Sequence, residues 1–377
     1  MSAVKPKRLG DLITLKRGYD LPEKDRTLGD FPVISSAGIS GYHNEYKVEG
    51  EGVVTGRYGT LGQMYFIDGK YWPHNTALYV QDFKGNDPRY IYYLLNCIGR
   101  IRTSDKSAVP GVNRNELHEM AVPSIEDTNI QISVRTLLWS IDKKIALNNK
   151  INTELESMAK LIYDYWFVQF DFPDANGKPY KSSGGKMVYN EALKREIPEG
   201  WGDSKLGDIC DLYQSKTISG KEMNPEGKHL VYGANGIVGR YDSYNHEQCV
   251  VTITCRGNSC GTINSTRPFS WITGNAMVVS PKQDYISIDY LLNALYWTNV
   301  SAAITGSAQP QITRENLAPT KMLAPDPAIA IEYFNFTKIN HAKRLNIQLQ
   351  NDQLTELRDW LLPMLMNGQV TVKDTAS

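Results

Sequence analysis

Short apolar runs alternate along the chain with two long stretches of helical periodicity. From about Ile130 to Phe170 there is no Pro or Gly, and apolar residues recur at heptad-like spacing. A second stretch, Ile329 to Leu362, repeats this pattern less regularly. The short runs are rich in Val and Thr and stand between Gly-rich turns, as β-strands do: Gly52–Thr55, Ala77–Val80, Cys249–Thr254 and Ala276–Val279. The pattern predicts a mixed α+β (α/β) fold with two long helices.

The two long helices should pair with another helix through their apolar stripes. Each would run ~30–40 residues, or about 45–60 Å, which is too long for an ordinary globular helix. Asn148 and Asn152 interrupt the first stripe, as buried polar residues do when they set the register of a coiled coil. Two exposed amphipathic helices, each packed on its own domain, are the alternative. The predicted stripe residues are Leu138, Ile141, Ile145, Leu155 and Ile162 in the first helix and Phe336, Ile347, Leu354, Leu357 and Leu361 in the second.

The chain contains an internal repeat with a period near 200 residues. Leu9–Asp11 recurs as Leu206–Asp208, and Ser107–Leu117 recurs as Ser307–Leu317. Between these anchors, Trp72–Ala77 corresponds to Trp271–Ala276 in the same order. What lies between the anchors differs strongly, so we expect two copies of one scaffold that carry different surfaces.

The repeat and the helical stretches together predict the organisation of the chain. Each α/β repeat is followed by a long helix, and a polar connector separates the two halves. The predicted segments are a first repeat over 1–129, a central long helix over 130–172, a connector over 173–204, a second repeat over 205–327, a C-terminal long helix over 328–368 and a tail over 369–377.

Composition narrows the class of protein. The 41 basic and 41 acidic side chains cancel, which excludes a protein that coats nucleic acid by charge alone but not one with local basic loops. Five Cys is an odd number, so we expect no disulfide framework. The N-terminal residues do not form the apolar core of a signal peptide, and no apolar run approaches the ~20 residues that span a bilayer. We therefore expect a cytoplasmic protein with no membrane contact.

The sequence offers no catalytic, cofactor or metal site. Asn86–Tyr90 is nearest to the catalytic loop of an adenine methyltransferase, but Arg89 stands where a second Pro is needed, so we interpret the segment as a helix start at Pro88. A phosphate-binding loop for ATP is missing, and the Cys residues lack zinc-site spacing. Any catalysis would have to come from partners.

The duplicated motifs carry a family resemblance that covers nearly the whole chain. The set resembles the specificity subunit of a type I restriction–modification system. Its motifs are Leu-Gly-Asp near the start of each half, the Trp72–Ala77 and Trp271–Ala276 segments, the Pro-x-x-x-Arg-x-x-Leu loops, Tyr165–Pro173 and Ile197–Trp201.

The resemblance implies both an architecture and partners. It implies two pseudo-symmetric target-recognition domains separated by two long helices that pair as an antiparallel coiled coil. It also implies double-stranded DNA, two methyltransferase subunits and two restriction subunits as partners, with S-adenosylmethionine, ATP and Mg on those subunits and a non-catalytic role for this chain. Because the repeats diverge, each should read a different short sequence, so we expect a split, asymmetric target with an unread spacer. The long helices could place the two domains on one face of the DNA, one helical turn of ~34 Å apart.

Candidate DNA-binding residues lie in the divergent loops. Lys, Arg and hydroxyl groups bind phosphates, whereas Arg reads guanine and Asn or Gln reads adenine. Matched Arg114 and Arg314 suit phosphate contact or a scaffold ion pair better than base reading, and His43 has the alternative of a satisfied turn histidine. The candidates are Lys16, Arg17, Tyr19, Ser36, His43, Arg57, Tyr58, Thr60, Asn113 and Arg114 in the first half and Gln214, Lys216, Asn235, Arg240, Tyr241, Arg256, Asn258, Gln309, Gln311, Thr313 and Arg314 in the second.

Two other functional classes stay open on sequence grounds. One is a stand-alone DNA-modifying enzyme with a divergent active site, and the other is a coiled-coil interaction protein without DNA binding. A steep fall of DNA affinity with salt would separate the last class from the leading one, because phosphate contacts release counterions.

Overall fold

The computed structural model describes residues 4–56, 63–98, 113–234 and 236–372. By its internal contacts the chain divides into two compact units. Unit 1 comprises the described residues up to Asn148 together with those from Gln350 onward, and unit 2 comprises Asn149–Leu349. Arg57, Tyr58, Thr60 and Asn235, predicted to bind DNA, lie outside the described residues.

Unit 1 contains two four-stranded sheets and a two-stranded ribbon. The sheets have the orders β2-β9-β6-β7 and β4-β3-β8-β5, and β1 pairs with β10. The strands are β1 (Lys5–Arg8), β2 (Thr14–Arg17), β3 (Phe31–Ser35), β4 (Gly38–His43), β5 (Val48–Glu49), β6 (Gly52–Gly56), β7 (Met64–Ile67), β8 (Lys70–Pro73), β9 (Ala77–Asp82) and β10 (Ala121–Ser124).

The strands of unit 2 begin with a short hairpin, β11-β12, and then repeat the four-stranded sheet and the ribbon of unit 1, whereas the second sheet of unit 2 has three described strands. Its sheets have the orders β14-β20-β17-β18 and β16-β15-β19, while β13 pairs with β23 and β21 with β22. The strands are β11 (Met187–Asn190), β12 (Arg195–Pro198), β13 (Gly202–Lys205), β14 (Cys210–Gln214), β15 (His229–Gly233), β16 (Gly236–Tyr241), β17 (Val251–Thr254), β18 (Ile263–Ser265), β19 (Trp271–Ile272), β20 (Ala276–Pro281), β21 (Ile304–Thr305), β22 (Gln311–Ile312) and β23 (Lys321–Ala324).

The predicted strands occupy matching places in the two units. The runs beginning at Gly52 and Ala77 form the neighbouring strands β6 and β9, and their counterparts form β17 and β20. All four are central strands with mostly buried residues, which explains why they read as continuous apolar runs. The mixed α+β fold and the internal repeat are therefore confirmed.

Helices complete both units. The α2 helix begins at Pro88 as predicted, and the carboxylate of Asp87 accepts a hydrogen bond from the Tyr90 amide at 2.9 Å. The described residues form eight α-helices: α1 (Leu9–Leu12), α2 (Pro88–Ile98), α3 (Arg114–Glu119), α4 (Thr128–Tyr163), α5 (Leu206–Ile209), α6 (Ile288–Trp297), α7 (Arg314–Leu317) and α8 (Pro327–Met366). None of the helices in these ranges is long and apolar enough to cross a membrane.

The two long helices confirm the predicted helical stretches, with α4 running for 36 residues and α8 for 40. A π-helical turn, Asp164–Val168, extends α4, and its Trp166 and Phe167 pack with Tyr163 in a buried aromatic cluster. Pro363 lies inside α8 rather than ending it, and the chain leaves the helix at Gly368, whose φ of 70° is the left-handed conformation typical of a C-cap.

A regular seam of buried and half-buried residues runs along α4. Leu138, Ile141 and Leu155 are buried, whereas Ile145 and Ile162 are half-buried. The spacing of three and four residues is unbroken because polar residues take some of the positions. The seam is Gln131, Val134, Leu138, Ile141, Ile145 and Asn148 in unit 1 and Asn152, Leu155, Ala159, Ile162 and Trp166 in unit 2.

The seam of α8 corrects two predicted stripe residues. Phe336 is 53% exposed and Leu357 is 44% exposed, so both lie outside the seam. The inward positions one residue later are Thr337 and Arg358, which an apolar pattern does not detect. The seam is Ala330, Tyr333, Thr337, Asn340, Arg344 and Ile347 in unit 2 and Asn351, Leu354, Arg358, Leu361 and Leu365 in unit 1.

Polar contacts show that α4 and α8 segments pair antiparallel within each unit. In unit 1, buried Asn148 donates from Nδ2 to Gln350 Oε1 and Asn351 Oδ1 at 2.8 Å, and Arg358 donates to Asp142 at 2.8 Å. In unit 2, Arg344 pairs with Glu156 at 2.9 Å, and the Tyr333 hydroxyl donates to the Ala159 carbonyl at 3.3 Å. As numbers rise along α4, those of the partners on α8 fall. The predicted role of Asn148 in this pairing is consistent with its contacts, whereas the buried Oδ1 of Asn152 has no hydrogen-bond partner among the described residues.

Candidate nucleic-acid interface

In unit 1 the end of β2 lies against the turn between β8 and β9. The Gly18 amide donates to the Ala77 carbonyl at 3.1 Å, and the Tyr19 amide donates to the Pro73 carbonyl at 2.8 Å. A Cβ at Gly18 would lie 2.1 Å from the His74 carbonyl oxygen, so only glycine permits this approach. The contact brings Lys16, Arg17 and Tyr19 together with the His74–Thr76 turn. We call this set of residues the unit 1 edge.

The side chains of the unit 1 edge form a linked polar surface. Arg17 is exposed, and its Nε donates to the Asn75 carbonyl at 3.3 Å. The Asn75 amide in turn donates to the Asp20 carboxylate. Asn75 and Asp20 were missed by the sequence search, although Asn75 stands within the repeated Trp72–Ala77 motif. Its place in that motif is the sequence signal that could have identified Asn75.

Tyr19 connects the unit 1 edge to the core. Its hydroxyl lies 3.2 Å from that of Tyr79, and the Lys16 ammonium lies 5.6 Å from its ring centroid. The hydrogen bond with Tyr79 and the charge of Lys16 lower the pKa of Tyr19, whereas burial raises the pKa of Tyr79. The half-buried Tyr19 ring is thus held between the Tyr79 hydroxyl and the Lys16 ammonium.

The prediction that His43 contacts DNA is wrong, because its side chain is buried in the fold. It is only 6% exposed, its Nδ1 accepts a hydrogen bond from the Thr27 amide at 3.0 Å, and its ring meets the Trp72 ring edge-on at 5.3 Å. A side chain buried in this way has no surface to offer to DNA. Ser36 is half-buried, and its amide donates to Thr76 Oγ1 at 3.3 Å, so it supports the unit 1 edge.

Two more candidates, Asn113 and Thr313, cap short helices. The Asn113 side chain accepts from the Asn115 amide at 3.0 Å, and Thr313 Oγ1 accepts from the Asn316 amide at 3.3 Å. Because the first amides of a helix need such acceptors, these side chains have a structural task that sequence spacing did not reveal. Arg114 and Arg314 follow as the exposed first residues of α3 and α7. Contact of either guanidinium with a DNA phosphate stays a prediction.

In unit 2 the end of β14 lies against the turn between β19 and β20. Gln214 donates from Nε2 to the Gly274 carbonyl and to Cys255 Sγ, both at 2.9 Å. The Lys216 carbonyl accepts from Trp271 Nε1 at 3.2 Å, as the Tyr19 carbonyl does from Trp72 Nε1 in unit 1. The same construction therefore presents Gln214 and exposed Lys216 at this edge.

A second group of candidates in unit 2 is brought together by long-range backbone pairing. Arg256 forms an isolated antiparallel bridge with Gln311, the Gly257 amide donates to the Pro310 carbonyl at 3.1 Å, and the Ile312 amide donates to the Cys255 carbonyl at 3.0 Å. Gly257 has a φ of 85°, which suits glycine at this tight turn. This pairing brings together four exposed side chains that can hydrogen-bond to base edges. We call them the Arg256 cluster: Arg256, Asn258, Gln309 and Gln311.

Arg240 and Tyr241 belong to the other sheet of unit 2. Arg240 is half-buried on β16 and donates from NH1 to the Gly227 carbonyl at 3.3 Å. The Tyr241 ring meets the Trp271 ring edge-on at 5.1 Å. These contacts show a packing role for both side chains, and their binding to DNA stays a prediction.

The exposed candidate side chains of both units are ones that can form hydrogen bonds with nucleic acid. Exposed guanidinium and amide groups stand at the ends of rigid strands, and these groups suit hydrogen bonding to base edges and phosphates. Among the described residues, no group of three or more His, Cys, Asp or Glu side chains is arranged to hold a metal ion.

Comparison with known families agrees with this geometry. The model described as "Type I restriction modification DNA specificity domain" matches residues 1–157 and 198–346, one match in each half. The chain belongs to this family. It is a specificity subunit, the sequence-recognising rather than the catalytic component of a type I restriction–modification system.

Individual relatives of this specificity subunit are distant. The specificity subunit of the type I restriction enzyme MjaIX from Methanocaldococcus jannaschii is 23% identical over 314 residues, covering 76% of this chain and 69% of the relative. That of the EcoprrI enzyme from Escherichia coli is 28% identical over 155 residues, or 39% of this chain and 37% of the relative. The crystal structure of the type I system S subunit from M. genitalium superposes with a TM-score of 0.60 at 17% identity over 96% of both chains, which shows the shared fold.

Proposed function

We propose that each unit of this specificity subunit reads one part of a split, asymmetric sequence in double-stranded DNA, with an unread spacer between the parts. The observation that carries the proposal is the duplicated topology with different side chains at matching places. Gln309 and Gln311 of the Arg256 cluster stand where the first repeat has Val109 and Gly111. One scaffold with unlike reading groups fits two unlike sequences, because base identity is read by side-chain donors and acceptors.

The long helices would bind the catalytic subunits. Their seams are used in pairing, yet both helices keep large apolar side chains on the outside, and such exposed apolar surface marks protein–protein contacts. The exposed residues are Ile132, Leu147, Met158 and Leu161 on α4 and Ile331, Phe334, Phe336, Ile339, Leu349, Leu357 and Trp360 on α8. Two methyltransferase and two restriction subunits are the proposed partners, in the cytoplasm, where the DNA lies.

The chemistry belongs to those partners in this proposal. The methyltransferase subunits would use S-adenosylmethionine to modify one adenine in each part of the target, on opposite strands. The restriction subunits would use ATP and Mg to translocate and cleave unmodified DNA. This chain holds DNA against the partners and decides which sequence they meet.

Mapping of methylated adenines tests the proposal. We expect a host that carries this chain with its methyltransferase subunits to show one motif in two parts, and a host with the methyltransferase subunits alone to lack it. Affinity of the purified complex for that DNA should fall with salt at a slope of about −0.9 per phosphate contact in a log–log plot. A single uninterrupted palindrome, or affinity that is independent of salt, would contradict the proposal.

A further inference from the structure

Strand register identifies one position that the two units share. In unit 1, Arg17 at the end of β2 is paired with Leu78, the second residue of β9. In unit 2, Gln214 at the end of β14 is paired with Met277, the second residue of β20. The sheets have the same strand order, so Arg17 and Gln214 occupy equivalent places on equivalent strands. The sequence repeat agrees with this register, because Arg17 and Gln214 each lie eight residues after the leucine of the repeated Leu-Gly-Asp motif.

Both side chains are anchored by the same hydrogen bond. Arg17 Nε donates to the carbonyl of Asn75, and Gln214 Nε2 donates to the carbonyl of Gly274. Asn75 and Gly274 each lie two residues before the alanine that begins the next strand. The turn carbonyl therefore orients whichever side chain stands at this position.

After these hydrogen bonds have formed, Arg17 has free donors, whereas Gln214 has a free acceptor. With Nε of Arg17 held by a carbonyl, its NH1 and NH2 groups remain as a donor fork, and no carboxylate in the described part of the chain pairs with them. Gln214 must turn its amide nitrogen toward the Gly274 carbonyl, and that nitrogen also reaches Cys255 Sγ, so Oε1 remains as an acceptor. Both residues are exposed. One unit thus presents donors where the other presents an acceptor.

We propose that this shared position determines sequence specificity in both units. The Arg17 fork donates to O6 and N7 of a guanine, and the Gln214 oxygen accepts from the exocyclic amine of an adenine or a cytosine. In the major groove guanine shows these two acceptors, whereas adenine N6 and cytosine N4 are the amine donors. The inference rests on the proposed function and adds to it the base class read at one point of each part of the target.

Exchange of the two residues is the matched experiment. Arg17→Gln and Gln214→Arg each introduce a side chain that the same anchor already accommodates in the other unit. Methylated motifs are mapped for the wild-type complex and both variants, with Arg8→Gln as control, because Arg8 is an exposed arginine paired with Glu119 at 3.1 Å.

Each exchange should alter one base in one part of the motif only. Arg17→Gln should lower the preference for guanine by about 5- to 150-fold, the discrimination of a bidentate contact. Gln214→Arg should lower the preference for an amine base by about 2- to 10-fold, as expected for one neutral hydrogen bond, and should raise that for guanine. The wild-type motif decides whether the amine base is adenine or cytosine. Arg8→Gln should leave the motif unchanged.

The outcomes separate this inference from the proposed function. A wild-type motif that is not in two parts removes the proposed function itself. A two-part wild-type motif that both exchange variants retain unchanged overturns the inference alone. If a variant no longer supports methylation, we sequence the DNA that its purified complex selects from a random pool. If Arg17→Gln fails to fold, Arg17→Lys replaces it, because lysine keeps the charge but lacks the donor fork. Recovery of the wild-type base at the expected position overturns the inference there as well.

Discussion

The buried carboxylate of Asp289 on α6 should make the stability of unit 2 depend on pH. Its oxygens lie 3.2 Å from Nδ1 of His341 and 3.3 Å from NH1 of Arg344, both on α8, and Arg344 also pairs with Glu156 of α4. Asp289 first, and then a hydrogen bond with Cys249, raise the pKa of His341 from 6.5 to about 9, although burial opposes the charged form. The folded state therefore binds this proton more tightly than the unfolded state.

The sign and size of the effect follow from that shift. Protonated His341 stabilises unit 2 fully below about pH 6.5, and the contribution is lost as the pH rises through about 9. At 1.36 kcal/mol per pKa unit the shift is worth at most about 3 kcal/mol. The His341 side chain is 25% exposed and partly screened by water. We therefore expect a contribution of about 1–3 kcal/mol to the free energy of unfolding.

Urea unfolding of wild type and Asp289→Asn, at about pH 6 and about pH 9, measures this contribution. At the lower pH the variant should lose about 2–4 kcal/mol, because His341 and Arg344 then face a neutral amide, while Arg344 keeps its ion pair with Glu156. At the higher pH the loss should be smaller by about 1–3 kcal/mol. Asp284→Asn, on an exposed residue of the same unit, is the control and should show no such difference. Equal losses for Asp289→Asn at both pH values, or an unchanged pH dependence in His341→Gln, would refute the reasoning.

Three further predictions concern single side chains. Asn148→Ala should lower the free energy of unfolding by about 1–3 kcal/mol through two lost hydrogen bonds, measured by urea denaturation, whereas exposed Lys150→Ala should change it by less than about 0.5 kcal/mol. Arg256→Ala should cost about 1–3 kcal/mol of discrimination in one part of the target and leave the other part intact in a methylation-protection assay; no change in binding or specificity would make its loop structural. Thr313→Ala should lower the melting temperature by removing a helix cap worth about 0.5–2 kcal/mol, and an unchanged value would show that the cap is not needed.

Local patterns in the sequence were sufficient for the scaffold. The central strands β6, β9, β17 and β20 and the start of α2 were predicted because each depends on a residue's own neighbours, through apolar runs, turn glycines and the Asp87–Pro88 start. The repeat predicted two copies of one fold for the same reason, since matched anchors occupy matched turns. The stripe of α4 was visible because most of its seam residues are apolar.

Burial and long-range contact decided what the patterns missed. The α8 seam contains Thr337, Arg344 and Arg358, and a polar residue faces inward only where another element satisfies it, as Asp289 and Asp142 do for the two arginines. Those partners are distant in sequence, so the apolar pattern predicted Phe336 and Leu357 as seam residues instead. His43 was misjudged for the same reason, because the Trp72 ring that covers it comes from another strand.

The sequence by itself determined that this protein is a duplicated α+β scaffold with two long helices and unlike loops. Only the tertiary structure brought Arg256 to Gln311 and anchored Arg17 and Gln214 on equivalent turn carbonyls. The physical reason is that strand register and loop pairing are set by hydrogen bonds between segments far apart in the chain. Which groups remain free to meet a ligand is known only once those bonds have been made.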